Sequence, residues 1–263
     1  VEFRFNTRVG KDVTVEQLRG EGFEAFLVAV GAHAAYKLMV PGEDQFPQVI
    51  NAIDFLRRVS LGDRHAPGRR VAVIGGGNVA IDAARTCIRL GCDEVLVIYR
   101  RTRSEMPAHE EEVTQAEDEG VRFCFLTVPV RIDGEDRAVT GITCLRAELG
   151  PADEQGRRRP VPVEGSEHII AVDAVVSAIG QTVDHTGLTE LEDLKWSKRN
   201  TILANTVTME TAMEGVFAAG DVVSGPATVV EAIGGGKKAA EAIDRYLQGI
   251  PQPRTPPVPV RRR

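Results

Sequence analysis

The stretch Val71 to Arg85 (VAVIGGGNVAIDAAR) carries the residue types that bind phosphate. An apolar β run, Val71 to Ile74, meets a turn of three glycines, Gly75, Gly76 and Gly77, and a helical pattern opens at Asn78. Gly75, Gly77 and Ala80 fit the G-x-G-x-x-G/A spacing of a dinucleotide-binding βαβ unit. Gly75 permits the tight turn, Gly77 lets the backbone approach a pyrophosphate, and Ala80 is small enough for the helix to pack on the strand. Asn78 and Val79 then offer free N–H groups at the positive end of the helix dipole. A second strand, Val95 to Tyr99, supplies the expected context. The competing reading is a glycine turn of purely structural use.

A basic cluster follows the second strand: EVLVIYR, from Glu94, runs into Arg100, Arg101 and Arg103. NAD-binding units commonly place an Asp or Glu near this point for the ribose 2′-OH. Tyr99 and arginines stand there instead. Guanidinium forks match a 2′-phosphate that a carboxylate would repel, so the reading is NADP(H), against a merely solvated basic loop. No metal site is expected. His109-Glu110 would need a second histidine at position 113, where the chain has Val113.

Elements must hold these residues in place. The apolar runs Phe23 to Val30, Val121 to Leu126 and Ala174 to Ile179 suit buried strands of a layered α/β sheet. Gly31, after the first run, and Gly180-Gln181, after the last, are points where backbone can approach a ligand. Val1 to Phe5 reads as a strand, Val13 to Arg19 as a short helix, and Ile50 to Val59 as an amphipathic helix. Arg64 to Arg70, with Pro67-Gly68, reads as a linker. Pro107 to Glu119 is an acidic helix opened by proline. Val128 to Asp133, Ala138 to Glu148 and His168 to Val172 suggest a three-stranded antiparallel meander, interrupted by a hydrophilic excursion from Gly150 to Arg159. Thr201 to Leu203 and Val216 to Ala219 are short strands, the second running into Gly220-Asp221. Ala227 to Leu247 is a helical pattern broken by Gly234, Gly235 and Gly236, which in a helix cost about 3 kcal/mol relative to alanine and are tolerable where something must pack very close. The tail from Pro251 to Arg263 has the composition of a disordered segment.

Composition narrows the class. The 263 residues carry 32 Lys and Arg against 38 Asp and Glu, a formal charge of −6, which gives no sign of nucleic-acid binding. No apolar run approaches the ~18 residues of a membrane span. Cys87, Cys92, Cys124 and Cys144 form no C-x-x-C pair. They read as small buried apolar residues of a reducing, cytoplasmic compartment.

Two stretches taken together, GGGNVAIDAAR followed by IYRRTRSEMPA, and VFAAGDVVSGPATVVEAIGGGKKAAEAI, are more specific than either alone. The chain resembles the NADPH-dependent flavoprotein family of the glutamate synthase small (β) subunit, over roughly residues 1–250. It is also similar to the NADPH-binding flavoprotein subunit of ferredoxin:NADP oxidoreductases and to the flavin half of dihydropyrimidine dehydrogenase. The resemblance implies an α/β fold with two dinucleotide-binding domains. A Rossmann-like NADPH domain with its β-meander (52–182) is inserted into a partial FAD domain (1–51 and 183–250), and 251–263 form the tail. It implies that Gly75 to Ala80 take the NADPH pyrophosphate and that Arg100 and Arg101 take the 2′-phosphate. Asp82 is placed near the nicotinamide or given a structural role. Gly220 and Asp221 lie along the flavin's ribityl and phosphate region. Thr228 and Val229 open a helix aimed at its pyrimidine end.

The activity implied is hydride transfer from NADPH to FAD, with electrons passed to iron–sulfur clusters of a partner subunit or a further domain. The cofactors carry that chemistry, so no catalytic side chain is expected. Family members hold an FAD glycine fingerprint and iron–sulfur ligands upstream of the matching stretch. The chain therefore reads as the C-terminal part of a longer protein. A disulfide reductase of the same fold would want a redox C-x-x-C. A nucleotide-binding module without catalysis is the rival from another class.

Overall fold

The central apolar runs of the sequence, residues 71–74, 95–98 and 174–177, become strands buried on both faces. A computed structural model describes residues 1–152, 156 and 158–253. The middle of the Gly150–Arg159 excursion and most of the tail from Pro251 lie outside these residues. The chain divides into one unit of residues 35–180 and another of residues 1–34 with 181–263. Residues 35–51 fall with the middle unit in this division.

In the middle unit, five parallel strands lie in the order Val49–Asn51, Ala174–Ser177, Arg70–Ile74, Glu94–Ile98, Arg122–Cys124. Alternate residues point to opposite faces. Val71, Val73, Val95, Val97 and Val176 pack with buried residues of the helices Ala52–Ser60, Asn78–Arg89 and Glu110–Asp118. Ala72, Ile74, Leu96, Ile98 and Val175 meet Ile132, Val139, Ile142 and Cys144 of an antiparallel sheet. Covered faces explain why these strands read as continuous apolar runs.

That second sheet corrects the expectation of three strands. Thr127–Glu135, Ala138–Ala152 and His168–Ile170 pair as foreseen, and Arg158–Pro162 adds a fourth strand against the far end of the longest. Arg158–Pro162 is polar, proline-bearing and largely exposed, so it lacks the alternation that marks a half-buried strand.

Other boundaries also differ. Val49–Asn51 is a strand rather than the start of the next helix. Asn51 caps that helix, its Oδ1 accepting from Ile53 N at 2.8 Å. The acidic helix opens at Glu110, not Pro107. It runs parallel to the Asn78–Arg89 helix: Asn78 meets His109 at one end, and Arg85 meets Glu119 at the other.

The flanking unit pairs Phe26–Val28 with Val216–Ala218 in parallel. Its core gathers Val28, Val183, Leu188, Leu191, Leu194, Ile202, Val216 and Val222. The run from Phe23 shortens to a three-residue strand. Val1 to Phe5 is not a strand, because no neighbour pairs with it; Phe3 and Phe5 are exposed and stack on each other at 5.6 Å. Thr201 to Leu203 contributes only an isolated bridge, Ile202 to Trp196. The helix Val229–Leu247 runs unbroken through its three glycines. No helix among the described residues is long and apolar enough to cross a membrane.

Glu119 ties the parallel helices together. One carboxylate oxygen accepts from Arg85 at 2.6 Å and from Arg89 at 2.7 Å. Arg85 first, then Arg89, holds the Glu119 carboxyl at about 2, well below its ordinary value. The folded value lies below the unfolded one. The stabilisation is therefore complete above about pH 4.5 and is lost as pH falls toward 2. With its side chain 27% exposed, the pair is partly screened and contributes on the order of 1 kcal/mol. Glu119→Gln is expected to flatten the acid limb of a thermal-unfolding profile across that window. A limb as steep as the parent's would contradict the assignment.

Candidate dinucleotide site

Three adjacent glycines follow the Arg70–Ile74 strand, each with a different neighbour. Gly75 has φ +147, and a Cβ there would lie 2.4 Å from the Ala178 carbonyl oxygen. Both the turn and the close approach need glycine. A Cβ on Gly76 would lie 2.4 Å from the Tyr99 ring. Tyr99 is buried and donates its hydroxyl to the Glu105 carbonyl at 2.7 Å. Gly77 has an ordinary φ of −93, and the nearest atom to a Cβ there is Pro107 Cγ at 3.8 Å. The space in front of Gly77 is open.

The loop after the second strand fastens this turn. Ala108 N donates to the Gly76 carbonyl at 3.1 Å, and His109 N donates to Asn78 Oδ1 at 3.1 Å. Thr102 and Glu105 form a reciprocal cap within the loop. The Asn78–Arg89 helix, by contrast, begins uncapped: Gly77 has no side chain, and no acid stands in the first turn. The N–H groups of Gly77, Asn78 and Val79 find no acceptor among the described residues. Ala80 is fully buried against the strand. The turn offers uncommitted donors facing open space, an arrangement suited to a phosphate group.

The structure separates the three arginines. Arg103 is committed: its guanidinium binds Glu110 at 2.8 Å, Glu117 at 2.5 Å and Thr114. Neither the Arg100 nor the Arg101 guanidinium has a hydrogen-bond or ion-pair partner among the described residues, and Arg101 Nε is buried without one. Two cationic forks are left free beyond the strand, and the third is structural. Asp82 lies on the exposed side of the helix. Crowding around its carboxyl raises its pKa, Glu112 adds to the rise, and Arg85 opposes it. Gly180 has φ +125 and accepts from Tyr36 N at 3.2 Å; Gln181 is half-buried.

In the flanking unit, Gly31 (φ +73) and Gly220 (φ +77) follow the paired strands Phe26–Val28 and Val216–Ala218. The strands are parallel, so both glycines leave from the same end of the pair. Asp221 opens a four-residue helix, and its carboxylate has no hydrogen-bond partner among the described residues. A Cβ on Gly235 would lie 3.4 Å from Gly220 N, so the long helix approaches this turn through glycine. Gly234 and Gly236 have nothing within 4 Å of a Cβ. Thr228 caps that helix in a reciprocal pair with Glu231, and Val229 is 75% exposed. The sequence reading missed Tyr99, Pro107, Ala108 and His109 as the residues that hold the turn. The pattern gave no signal for them, because the contacts are made by a ring face and by backbone groups.

A family model described as pyridine nucleotide-disulphide oxidoreductase matches residues 4–236. The chain is 47% identical over 257 residues to the NADP(+)-dependent formate dehydrogenase subunit beta of Moorella thermoacetica, covering 96% of this chain and 36% of that one. It is 40% identical to the NADPH-Fe(3+) oxidoreductase subunit beta of Geobacter sulfurreducens, covering 94% and 40%. It is 39% identical to the small chain of glutamate synthase (NADPH) of Azospirillum brasilense, covering 92% and 52%. The chain thus spans well under two thirds of each of these relatives. Among solved structures, Mycobacterium tuberculosis FprA in complex with NADPH is similar at a TM-score of 0.73 and 22% identity, covering 92% of this chain and 67% of that one. Thioredoxin reductase of T. acidophilum is similar at 0.64 and 23%, covering 85% and 65%. At these identities the likeness is one of fold.

The glycines differ in what each can tolerate. Gly75→Ala forces a left-handed backbone and a clash with carbonyl oxygen, and should cost roughly 1–3 kcal/mol. Gly76→Ala displaces the Tyr99 ring and should cost a similar amount. Gly77→Ala should stay within about 1 kcal/mol of the parent, since it loses only a favourable capping residue. Thermal unfolding of the three variants checks the order; equal losses at Gly76 and Gly77 would contradict it.

Proposed function

The chain belongs to the pyridine nucleotide-disulphide oxidoreductase family, and from that premise we propose that it accepts a hydride from NADPH onto FAD. Electrons then leave for iron–sulfur clusters of a partner subunit or a further domain. The observation that carries this reading is the pair of uncommitted guanidinium groups, Arg100 and Arg101, beyond the strand that follows the open glycine turn. Arg101 Nε is buried without a partner, and paired guanidinium forks match a phosphate group, the 2′-phosphate being the anion this position addresses. The names of the relatives support the reading. They share NADP(H) and differ in the other reactant, formate, ferric iron or glutamate. The portion common to all of them is thus best read as the side that handles the shared reactant.

On this proposal, unit 35–180 is the NADPH-binding domain, and residues 1–34 with 181–250 are segments of the FAD domain. The N–H groups of Gly77, Asn78 and Val79, in the turn from Gly75 to Ala80, hold the pyrophosphate. Arg100 and Arg101 hold the 2′-phosphate. Gly180, Gln181 and Asp82 lie along the remainder of the dinucleotide. Gly31, Gly220, Asp221, Thr228 and Val229 line the flavin. Flavin supplies the two-electron to one-electron conversion when bound. The chain's residues supply position, and position alone lowers the barrier to a hydride step that needs no nucleophile or general acid. The setting proposed is a reducing cytoplasm.

Calorimetry tests the nucleotide side. Two charge-assisted contacts of about 1.5–3 kcal/mol each give NADPH at least a tenfold preference over NADH. Arg100→Ala combined with Arg101→Ala should weaken NADPH far more than NADH, and Gly77→Val should abolish both while leaving the unfolding midpoint close to the parent's. Equal affinities for the two nucleotides in the unsubstituted chain would overturn the assignment. Flavin absorbance tests the other side. A chain of these residues is expected to bind NADPH yet purify with less than one FAD, because the other match to the glycine spacing, Gly234, Gly236 and Ala239, lies inside the Val229–Leu247 helix rather than at a strand-to-helix turn that could hold the flavin pyrophosphate. One tightly bound FAD per chain, bleached by NADPH, would show that residues 1–263 suffice.

A further inference from the structure

Far from the glycine turn, at the other end of the same helix, two thiols are brought together by backbone geometry. The Asn78–Arg89 helix ends at Leu90, and Gly91 follows with φ +89. Gly91 N donates to the Ile88 carbonyl at 2.9 Å, and Cys92 N donates to the Cys87 carbonyl at 3.1 Å. This pair of bonds is the left-handed glycine ending in which the residue after the glycine folds back onto the last turn. That ending sets the folded-back side chain against the one five residues earlier, a contact usually made by two apolar groups. In this chain both are cysteine. On a straight helix, residues five apart point in different directions, so Gly91 is what makes them neighbours.

We infer that Cys87 and Cys92 form an oxidisable dithiol, a modification site at which a hydroperoxide closes a disulfide across the helix end. The backbone bond from Cys92 N to the Cys87 carbonyl holds the two residues side by side, as a disulfide, which spans about 4.4–6.8 Å between Cα atoms, requires. The two sulfurs are not equivalent. Cys87 is fully buried, and Cys92 keeps 8% of its surface exposed. The Cys87 thiol, and then the backbone N–H of Gly68, favour the thiolate at Cys92, against its burial and the nearby Asp173 and Asp93, which oppose it, and the balance lowers its pKa. Cys87 is held as the thiol by that same contact and by burial. Cys124 and Cys144 belong to the opposite face of the sheet, and burial pushes both up, Cys144 to about 12.

The chemistry closes on the pair and one peroxide. The Cys92 thiolate attacks a peroxide oxygen; the S–O bond forms, the O–O bond breaks, and the departing hydroxide takes a proton to become water. The Cys87 sulfur then attacks the sulfenic sulfur of Cys92. The S–S bond forms, the S–O bond breaks, and the second hydroxide leaves as water with the Cys87 proton. Two thiols lose two electrons and the peroxide gains them. The product fastens the end of the nucleotide helix to the start of the Glu94–Ile98 strand.

Peptide mapping of the full chain tests this directly. Trypsin cuts after Arg85, Arg89 and Arg100, so Cys87 and Cys92 fall in separate peptides, 86–89 and 90–100. After mild hydrogen peroxide, alkylation and digestion, the two peptides should appear joined and two hydrogens lighter, and separate again with dithiothreitol. Cys92 should be consumed at least tenfold faster than Cys124 or Cys144. In Cys87→Ala the sulfenic acid on Cys92 should persist long enough for dimedone to trap it. In Cys92→Ala, Cys87 should survive the same peroxide treatment as a free thiol. Recovery of both residues as alkylated thiols from the treated parent chain, or faster loss of Cys124 or Cys144, overturns the inference without recourse to any variant.

Discussion

The ring of Tyr99 occupies the space where a side chain on Gly76 would stand, and the glycine-turn end of the middle unit depends on that contact. It sets the height of the glycine turn above the sheet. The tyrosine hydroxyl reaches onward to the Glu105 carbonyl and fixes the loop that follows. That loop returns two backbone donors, from Ala108 and His109, to the turn and the first residue of the helix. Turn and loop therefore hold each other, and the arginines at the loop's start inherit a fixed position. The middle glycine of the three is kept small by the protein's own ring, and the third is kept small by nothing in the protein.

The sheet beneath shows how a strand of five residues serves two cores. In Arg70–Ile74, Val71 and Val73 face the helices, while Ala72 and Ile74 face the antiparallel sheet. Neither face reaches water, so the strand shows no alternation of polar and apolar residues. The same holds for Glu94–Ile98. The open glycine turn sits at the end of these strands because that is where the sheet stops and backbone N–H groups are no longer claimed by a neighbour.

Legibility in the sequence followed physical cause. The glycine turn, its flanking strands and its helix were readable, because spacing of small residues and buried runs leaves a local signature. The cluster of arginines was readable as a charge pattern, but its division was not: Arg103 differs from Arg100 and Arg101 only through Glu110 and Glu117, acids on the next helix. The Val49–Asn51 strand was hidden because three residues carry no period and run straight into a helix. Arg158–Pro162 was hidden because an exposed polar strand resembles a loop. The three glycines of the last helix invited the idea of a close neighbour, and one of them, Gly235, meets it in the Gly220 turn. Val1 to Phe5 shows the reverse error. Alternation alone makes a strand only where another strand accepts its hydrogen bonds.

Two helices, Asn78–Arg89 and Glu110–Asp118, lie side by side and point the same way, so two positive dipole ends face the same end of the unit. They are not equally visible to an anion. The second begins with Glu110, Glu111 and Glu112, whose negative charges lie over its own free N–H groups. The first begins with glycine, asparagine and valine and carries no acid in that turn. One pole is quenched by its own side chains and the other is left bare. At this end of the unit a bare, acid-free terminus therefore stands beside an acidic one, and the local field favours a negative charge at the first rather than the second.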